Sequence, residues 1–285
     1  SLDMRGYGIG NGNQNLVVVV NGRRLNNIDM APQLLSSIPL ESIEKIEILK
    51  GSGSVKYGDG ANAGVISITT DKKNSNYLQA QLGNHNSKDG AASFGYGNEY
   101  IIANAYVDYN STDGSIKDNR GNSDENNIRN MNFSVVFTPI EELELSLSRT
   151  YSNMTTNYAR PISLKQYNED PNRTSGFNKQ YFSSYVTTAG ARYDFNQNFF
   201  IDATFSDEDK ISKFGTSPDT QYDYKSFAST FNYRSDIFKG TAGIDGFKGD
   251  RFNFTSSFGT PENTTSKNNL AMFTSIDLNP INDLT

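Results

Sequence analysis

The stretch "IEKIEILKGSGSVKYGDGANAGVISITT", residues 43–70, sets two strand-like runs around the glycine-dense segment 51–64. Glycine loses more backbone freedom on folding than any other residue, at ~0.5–1 kcal/mol relative to alanine within regular structure. Yet Gly51, Gly53, Gly58, Gly60 and Gly64 crowd together here. Such a segment is a flexible surface loop, a phosphate cradle, or a tight fold that needs positive φ or close backbone approach. The phosphate reading fails on chemistry. Gly53 and Gly58 have P-loop spacing, but Asp59 and Gly60 stand where Lys and Ser/Thr are required. The nearby "GYGIGNG" (6–12) precedes a strand instead of opening a helix, so it is not a dinucleotide turn either.

Composition narrows the function. The 285 residues contain no cysteine and one histidine, His85. Disulfides, thiolate metal sites and paired-histidine chemistry are therefore out, and no catalytic or metal constellation is visible. A net charge of −6 offers no basic face for nucleic acid. No apolar run approaches the ~18 residues of a membrane helix. The mean hydropathy is −0.61. Eighteen Phe and sixteen Tyr nevertheless occur, without Trp. A polar chain rich in strand-forming aromatics fits a β-barrel with one wet face. The opening "SLDMRGYG" lacks a secretory leader pattern.

Two regions differ in texture. Residues 1–73 read as a small α/β unit: "LVVVVNGRRL" is strand, Asn21-Gly22 turn, strand. A short helix is expected near Pro39, followed by a strand with Ile46 and Ile48 on one face. Residues 74–285 alternate with period 2. Met131, Phe133, Val135 and Phe137 oppose Asn132 and Ser134. Leu143, Leu145 and Leu147 oppose Glu144, Ser146 and Ser148; Phe199, Ile201, Ala203 and Phe205 oppose Asp202, Thr204 and Ser206. Short turns at 97–99, 138–142, 196–198, 234–236 and 279–283 alternate with longer polar loops at 84–90, 110–130, 153–180, 207–221 and 249–267. That predicts about ten up-and-down strands. Period 2 alone also suits an exported sandwich or solenoid. Sorted loops favour a membrane barrel, with short turns on one side and long loops on the other. An open sheet edge is untenable in lipid, so further strands are expected past Thr285.

"DMRGYG", "LVVVVNGRRLNN" and "SSIPLESIEKIEILKGSGSVKYGDGANAGVISITT" together resemble the plug domain of TonB-dependent outer-membrane receptors. The resemblance covers residues 3–70 in order and spacing. It implies a mostly β fold: a transmembrane antiparallel up-and-down barrel, 22-stranded in the family, with a small α/β plug in its lumen. On this reading 1–73 is the later part of the plug and 74–285 the first part of the barrel. A TonB box and the start of the plug are expected before Ser1.

The resemblance also implies function. The protein is then an importer in the outer membrane of a Gram-negative bacterium, in contact with its lipid and lipopolysaccharide. Its partner is TonB, with the inner-membrane energising complex. Cargo is a small-molecule metal chelate, foremost a ferric siderophore, with haem or cobalamin next; no resident cofactor is implied. Basic residues tie plug to barrel in the family, and Arg5, Lys45 and Lys50 are the candidates here, the two lysines standing where arginine is usual. Asn21 replaces the usual Asp before the hairpin glycine, and Ala63 replaces a glycine.

Gly51, Gly58 and Gly64 are expected to serve close packing inside a lumen. Asn104, Asp108, Glu144 and Asp202 are expected to face the plug. Tyr151, Tyr158, Arg160 and Tyr167 are candidate ligand contacts, with membrane-girdle or loop-packing roles as the alternative. His85 is read as a loop residue, with a haem-ligand role as the alternative. The competing classes are a non-transporting surface β-protein and, more distantly, an enzymatic barrel.

Overall fold

The structure is a computed structural model that describes residues 4, 6, 15–25, 35, 38, 43–51, 57, 60–70, 76–217, 219–254 and 261–278. Two sheets are present among them. The first contains β1 (Leu16–Val20), β2 (Arg23–Arg24), β3 (Ile43–Lys50) and β4 (Gly64–Thr70), in the order β2-β1-β4-β3. β1 runs parallel to β4, while β2 and β3 are antiparallel to their neighbours. A central strand flanked on both sides should be apolar on both faces, and "LVVVV" is. Val17 and Val19 pack with Ala61 and Val65 on one side, and Val18 packs with Leu25 and Ile68 on the other. The Asn21-Gly22 turn has φ of 50° and 82°, the double left-handed geometry that favours Asn-Gly in two-residue hairpins. Asn21 also clamps the turn to the end of β4: its amide donates to Thr70 Oγ1 (2.7 Å) and accepts from Thr70 N (2.9 Å).

The second sheet is ten-stranded and strictly up-and-down, from β5 (Tyr77–Gly83) through β14 (Pro261–Leu278). Between them run β6 (Ser87–Gly97), β7 (Ile101–Thr112), β8 (Asn126–Ile140), β9 (Leu143–Ala159), β10 (Phe177–Asp194), β11 (Phe199–Phe214), β12 (Asp219–Arg234) and β13 (Phe238–Phe254). The expected short turns at 97–99, 138–142, 196–198 and 234–236 each fall within about a residue of an observed tight connection. The fifth, 279–283, lies outside the described residues.

The long-loop expectation needs correction. Among the described residues, only 113–125 and 160–176 are long connections. Residues 84–86 form a tight turn, with His85 and Asn86 at φ of 56° and 55°, and β11 and β12 are joined across 215–218. The stretch 207–214, "DEDKISKF", reads as part of a polar loop but continues β11. Strands that extend past an apolar band keep their backbone pairing while their side chains turn polar, so hydrophobic alternation underestimates their length.

The two faces of this sheet differ in chemistry. Large apolar side chains project outward in quantity: Leu147 is 51% and Met272 78% exposed, with Met131, Phe133, Phe205, Leu270 and Ile276 alongside. So much contiguous apolar surface is untenable in water and suits lipid. Near the short turns, Tyr193, Phe195, Phe199 and Phe231 stack in sequence. Toward the long loops, Tyr151 and Tyr185 pair at 4.7 Å, with Arg149 over the Tyr185 ring and Arg129 over Tyr109. Tyr185 and Tyr193 share this outward face on β10. Their eight-residue separation is roughly 27 Å of strand, or about 20 Å of height at a ~40° tilt, close to the apolar band of a membrane barrel. No helix among the described residues is long and apolar enough to cross a membrane.

Candidate functional site

The inward face is assembled by the strand register. Ile102, Val136, Ser146, Gly190 and Thr204 lie opposite one another across β7 to β11. One step toward the long loops stand Asn104, Ser134, Ser148, Thr188 and Ser206; the next row holds Tyr106, Asn132, Thr150, Val186 and Glu208. Asn104, Asp108, Glu144 and Asp202 all share the phase of this inward set, as the alternation predicts.

The first sheet meets this face through its hairpin, where β2 lies against β12. Arg23 Nη1 donates to Glu208 Oε2 at 2.9 Å, and both side chains are buried, at 10% and 5% exposure. Ser184 Oγ donates to the other carboxylate oxygen at 2.9 Å, and Lys210 Nζ stands 4.0 Å away. Lys210 in turn lies 5.0 Å from the Tyr222 ring centroid. The adjacent Arg24 sits over Phe247 at 5.8 Å. A buried carboxylate is stable only when paired and hydrogen-bonded, and Glu208 has both kinds of partner. Below this clasp, a cavity of about 280 Å3 lies between Val20, Asn21, Ile38 and Thr70 on one side and the hydroxyl-rich inward rows on the other. At Gly190 an added Cβ would stand 2.5 Å from Ser146 Oγ. At the short-turn end Arg192 forks onto Asp194 at 2.8–3.1 Å. Arg192 and Arg234 also flank the Phe200 ring, at 4.0 and 4.8 Å.

The expected tethers lie elsewhere. Lys45 is on β3, at the far edge of the first sheet, 61% exposed and paired with Glu47 of its own strand at 2.7 Å. Lys50 is exposed at the end of that strand. Ile46 and Ile48 share a face as expected, but that face is exposed. Arg5 and Gly58, like the helix expected near Pro39, lie outside the described residues. Gly51 and Gly64 have φ of 126° and 154°, and a Cβ at Gly64 would collide with Leu49 O. These two glycines therefore meet the conditions of the tight-fold reading, Gly51 through its φ and Gly64 through both φ and close approach.

Among the ligand candidates, Tyr158 points inward near the top of β9, with its ring 6.2 Å from that of Phe214. Its cross-strand partner Asn178 accepts from Arg160 Nε at 3.1 Å, so Tyr158 and Arg160 come together. Tyr167 is exposed on α1 (Leu164–Glu169), a short helix opened by the Ser163–Gln166 capping box. Tyr151 is not brought to them: it has the outward phase and pairs with Tyr185, which is the girdle alternative. His85 occupies the exposed tip of the β5–β6 turn.

The two long loops dock on each other. Lys117 N donates to Asn172 O, Thr174 N to Lys117 O, and Arg173 Nη2 to Asn119 Oδ1. Within the first loop the Asn122 side chain, with the backbone N–H groups of Arg120 and Asn122, holds Asp118 below the usual carboxylate range.

Arg23 and Glu208 escaped the sequence reading. Glu208 continues the inward phase of Asp202, Thr204 and Ser206, a signal masked by treating 207–221 as loop.

A strand hairpin clasped by a buried ion pair onto the polar face of an up-and-down sheet, whose opposite face is apolar and aromatic-belted, is the arrangement of a plug against part of a membrane-barrel wall. The TonB-dependent Receptor Plug Domain family model matches residues 1–65. Over those residues the chain resembles the plug of TonB-dependent receptors, and its second sheet has the fold of part of their barrel. Its fold resembles that of the ferric-catecholate import receptor Fiu from E. coli K12, with a TM-score of 0.75, 14% identity, and coverage of 98% of this chain and 52% of that one. It also resembles the ferric citrate transporter FecA, with a TM-score of 0.71, 14% identity, and 97% and 47% coverage. In sequence, 64 residues are 38% identical to the vitamin B12 transporter BtuB of Photobacterium profundum, covering 22% of this chain and 11% of that protein. The chain thus spans about half the length of the solved receptors it resembles.

Proposed function

We propose that the receptor containing this chain is an energised importer. It takes a scarce ligand on the outer side of the plug and admits it by plug movement driven through TonB and its inner-membrane complex. The observation that carries this reading is the Arg23–Glu208 clasp: it seats the first sheet on the polar inward face, where a plug must be to gate a lumen. A surface β-protein without transport has no need of such a seat, and the related receptors and transporters argue against an enzyme.

We further propose a ferric siderophore or other iron complex as cargo. Lys210 beside Tyr222, with Arg251 and Lys267 in the same inward phase, supplies cations and aromatic rings above the clasp. Tyr158 and Arg160 extend that surface toward the loops, and Tyr167 is the outermost candidate. Such a surface suits an anionic or aromatic chelate. Cobalamin is the second reading, favoured by the 38% identity to a vitamin B12 transporter. Haem is a third, with exposed His85 as its only candidate ligand.

Growth of a strain lacking the full-length gene, on single iron, haem or cobalamin sources, tests the assignment. Loss of growth confined to one ferric chelate, and reproduced by loss of TonB, is the expected result. Loss confined to cobalamin would transfer the assignment to the second reading, and unimpaired growth on every source would reject import.

A further inference from the structure

We propose that the passage through this receptor opens along one side of the plug. The route is the seam between the Val20 and Thr70 ends of β1 and β4 and the inward faces of β7 to β11, and Arg23–Glu208 is the clasp that closes its outer end. Three observations converge. First, the seam already exists as a cavity of about 280 Å3, just below the ~300–1,000 Å3 of small-ligand sites. It must therefore widen before a chelate passes. Second, its wall carries Ser134, Ser148, Thr150, Ser184 and Thr188 among apolar residues such as Ile102, Val136 and Val186, so hydroxyl groups are in place to hold water as it widens. Third, the buried ion pair stands at the long-loop end of the seam, and a second hairpin contact, Arg24 on Phe247, lies on β13, away from it. Breaking the clasp frees the plug from the seam wall while Arg24 still holds its other side. The word passage rests on the importer reading; the geometry and its test do not.

The test uses the full-length receptor in isolated outer membranes, and this chain contributes no native cysteine. Ser148→Cys places a thiol in the seam; Thr241→Cys places one on β13, outside it. A small charged thiol reagent that does not cross membranes is added from the outer side. Arg23→Met should speed modification of Ser148→Cys by at least about tenfold, as expected when a buried charge loses its partner, and leave Thr241→Cys unchanged. Glu208→Gln, which leaves the Arg23 and Lys210 cations facing each other without their carboxylate, should give at least as large an acceleration, at Ser148→Cys alone. Equal acceleration at both positions would mean that the whole plug is loosened, and no acceleration at Ser148→Cys would mean that the clasp does not close the seam. Either result overturns the proposal. Neither depends on cargo, so failure of the importer reading stays distinguishable.

Discussion

The two edges of the plug sheet carry the same kind of interaction in opposite settings. At the β2 edge Arg23 meets Glu208 with both side chains buried; at the β3 edge Lys45 meets Glu47 with both exposed, at 61% and 57%. Geometry alone would rank them equal, at 2.9 and 2.7 Å. Environment separates them. A solvated pair contributes about 0–1 kcal/mol. A buried pair also has little net advantage over apolar packing, but removing one partner strands a charge and costs about 3–5 kcal/mol. The buried edge is therefore sensitive to the loss of either partner, and the exposed edge is not.

The largest effect is expected from breaking the clasp one partner at a time. Glu208→Ala should weaken plug docking by about 3–5 kcal/mol, seen as faster hydrogen exchange through Leu16–Leu25. The paired replacement Arg23→Met with Glu208→Met should recover part of that protection, because only the Lys210 cation then lacks its carboxylate. If the double variant exchanges as fast as the single one, the charge argument fails.

Gly64→Ala should come next. Its φ of 154° and the close approach of Leu49 O predict a loss of about 1–3 kcal/mol, read as selective deprotection of the β3–β4 pairing. Unchanged exchange there would contradict the close-approach reading of the glycine-dense stretch.

Lys45→Gln with Lys50→Gln should move plug docking by less than about 1 kcal/mol. Permeability to an antibiotic too large for porins checks this. The tether role expected for these lysines requires a leak at least as large as that of Glu208→Ala.

The smallest effect concerns Asp118. Its folded pKa is depressed, so its contribution to the 118–122 turn is complete above the ordinary carboxylate range and is lost as pH falls through the lowered value. Amide protection at Arg120 and Asn122 should disappear only in that acid range. Loss of protection within the ordinary range would contradict the assignment.

Much of this was legible in the sequence. Alternation such as Leu145-Ser146-Leu147-Ser148 sorted the inward from the outward face because lipid and a wet lumen impose opposite demands on successive residues. The valines of β1 and the Asn21-Gly22 turn were readable because local geometry decides them. Strand length was not: once β11 leaves the apolar band at Phe205, backbone pairing and polar contacts carry it, and these leave no hydrophobic alternation to read. The clasp was hidden for the same reason, since Glu208 lies in that polar extension and meets Arg23 across 185 positions. Tyr151 shows a further limit. An aromatic beside a long loop is written alike for a girdle and for a binding site, and only the phase of β9 separates them.

The central claim is that the hairpin of the first sheet rests on the inward face at Glu208. It is tested most directly by crosslinking Arg23→Cys with a short bifunctional thiol reagent in native membranes. The account predicts an efficient crosslink to Glu208→Cys and little to Asp207→Cys, one residue earlier and on the opposite face. Equal yields, or a preference for position 207, would contradict it.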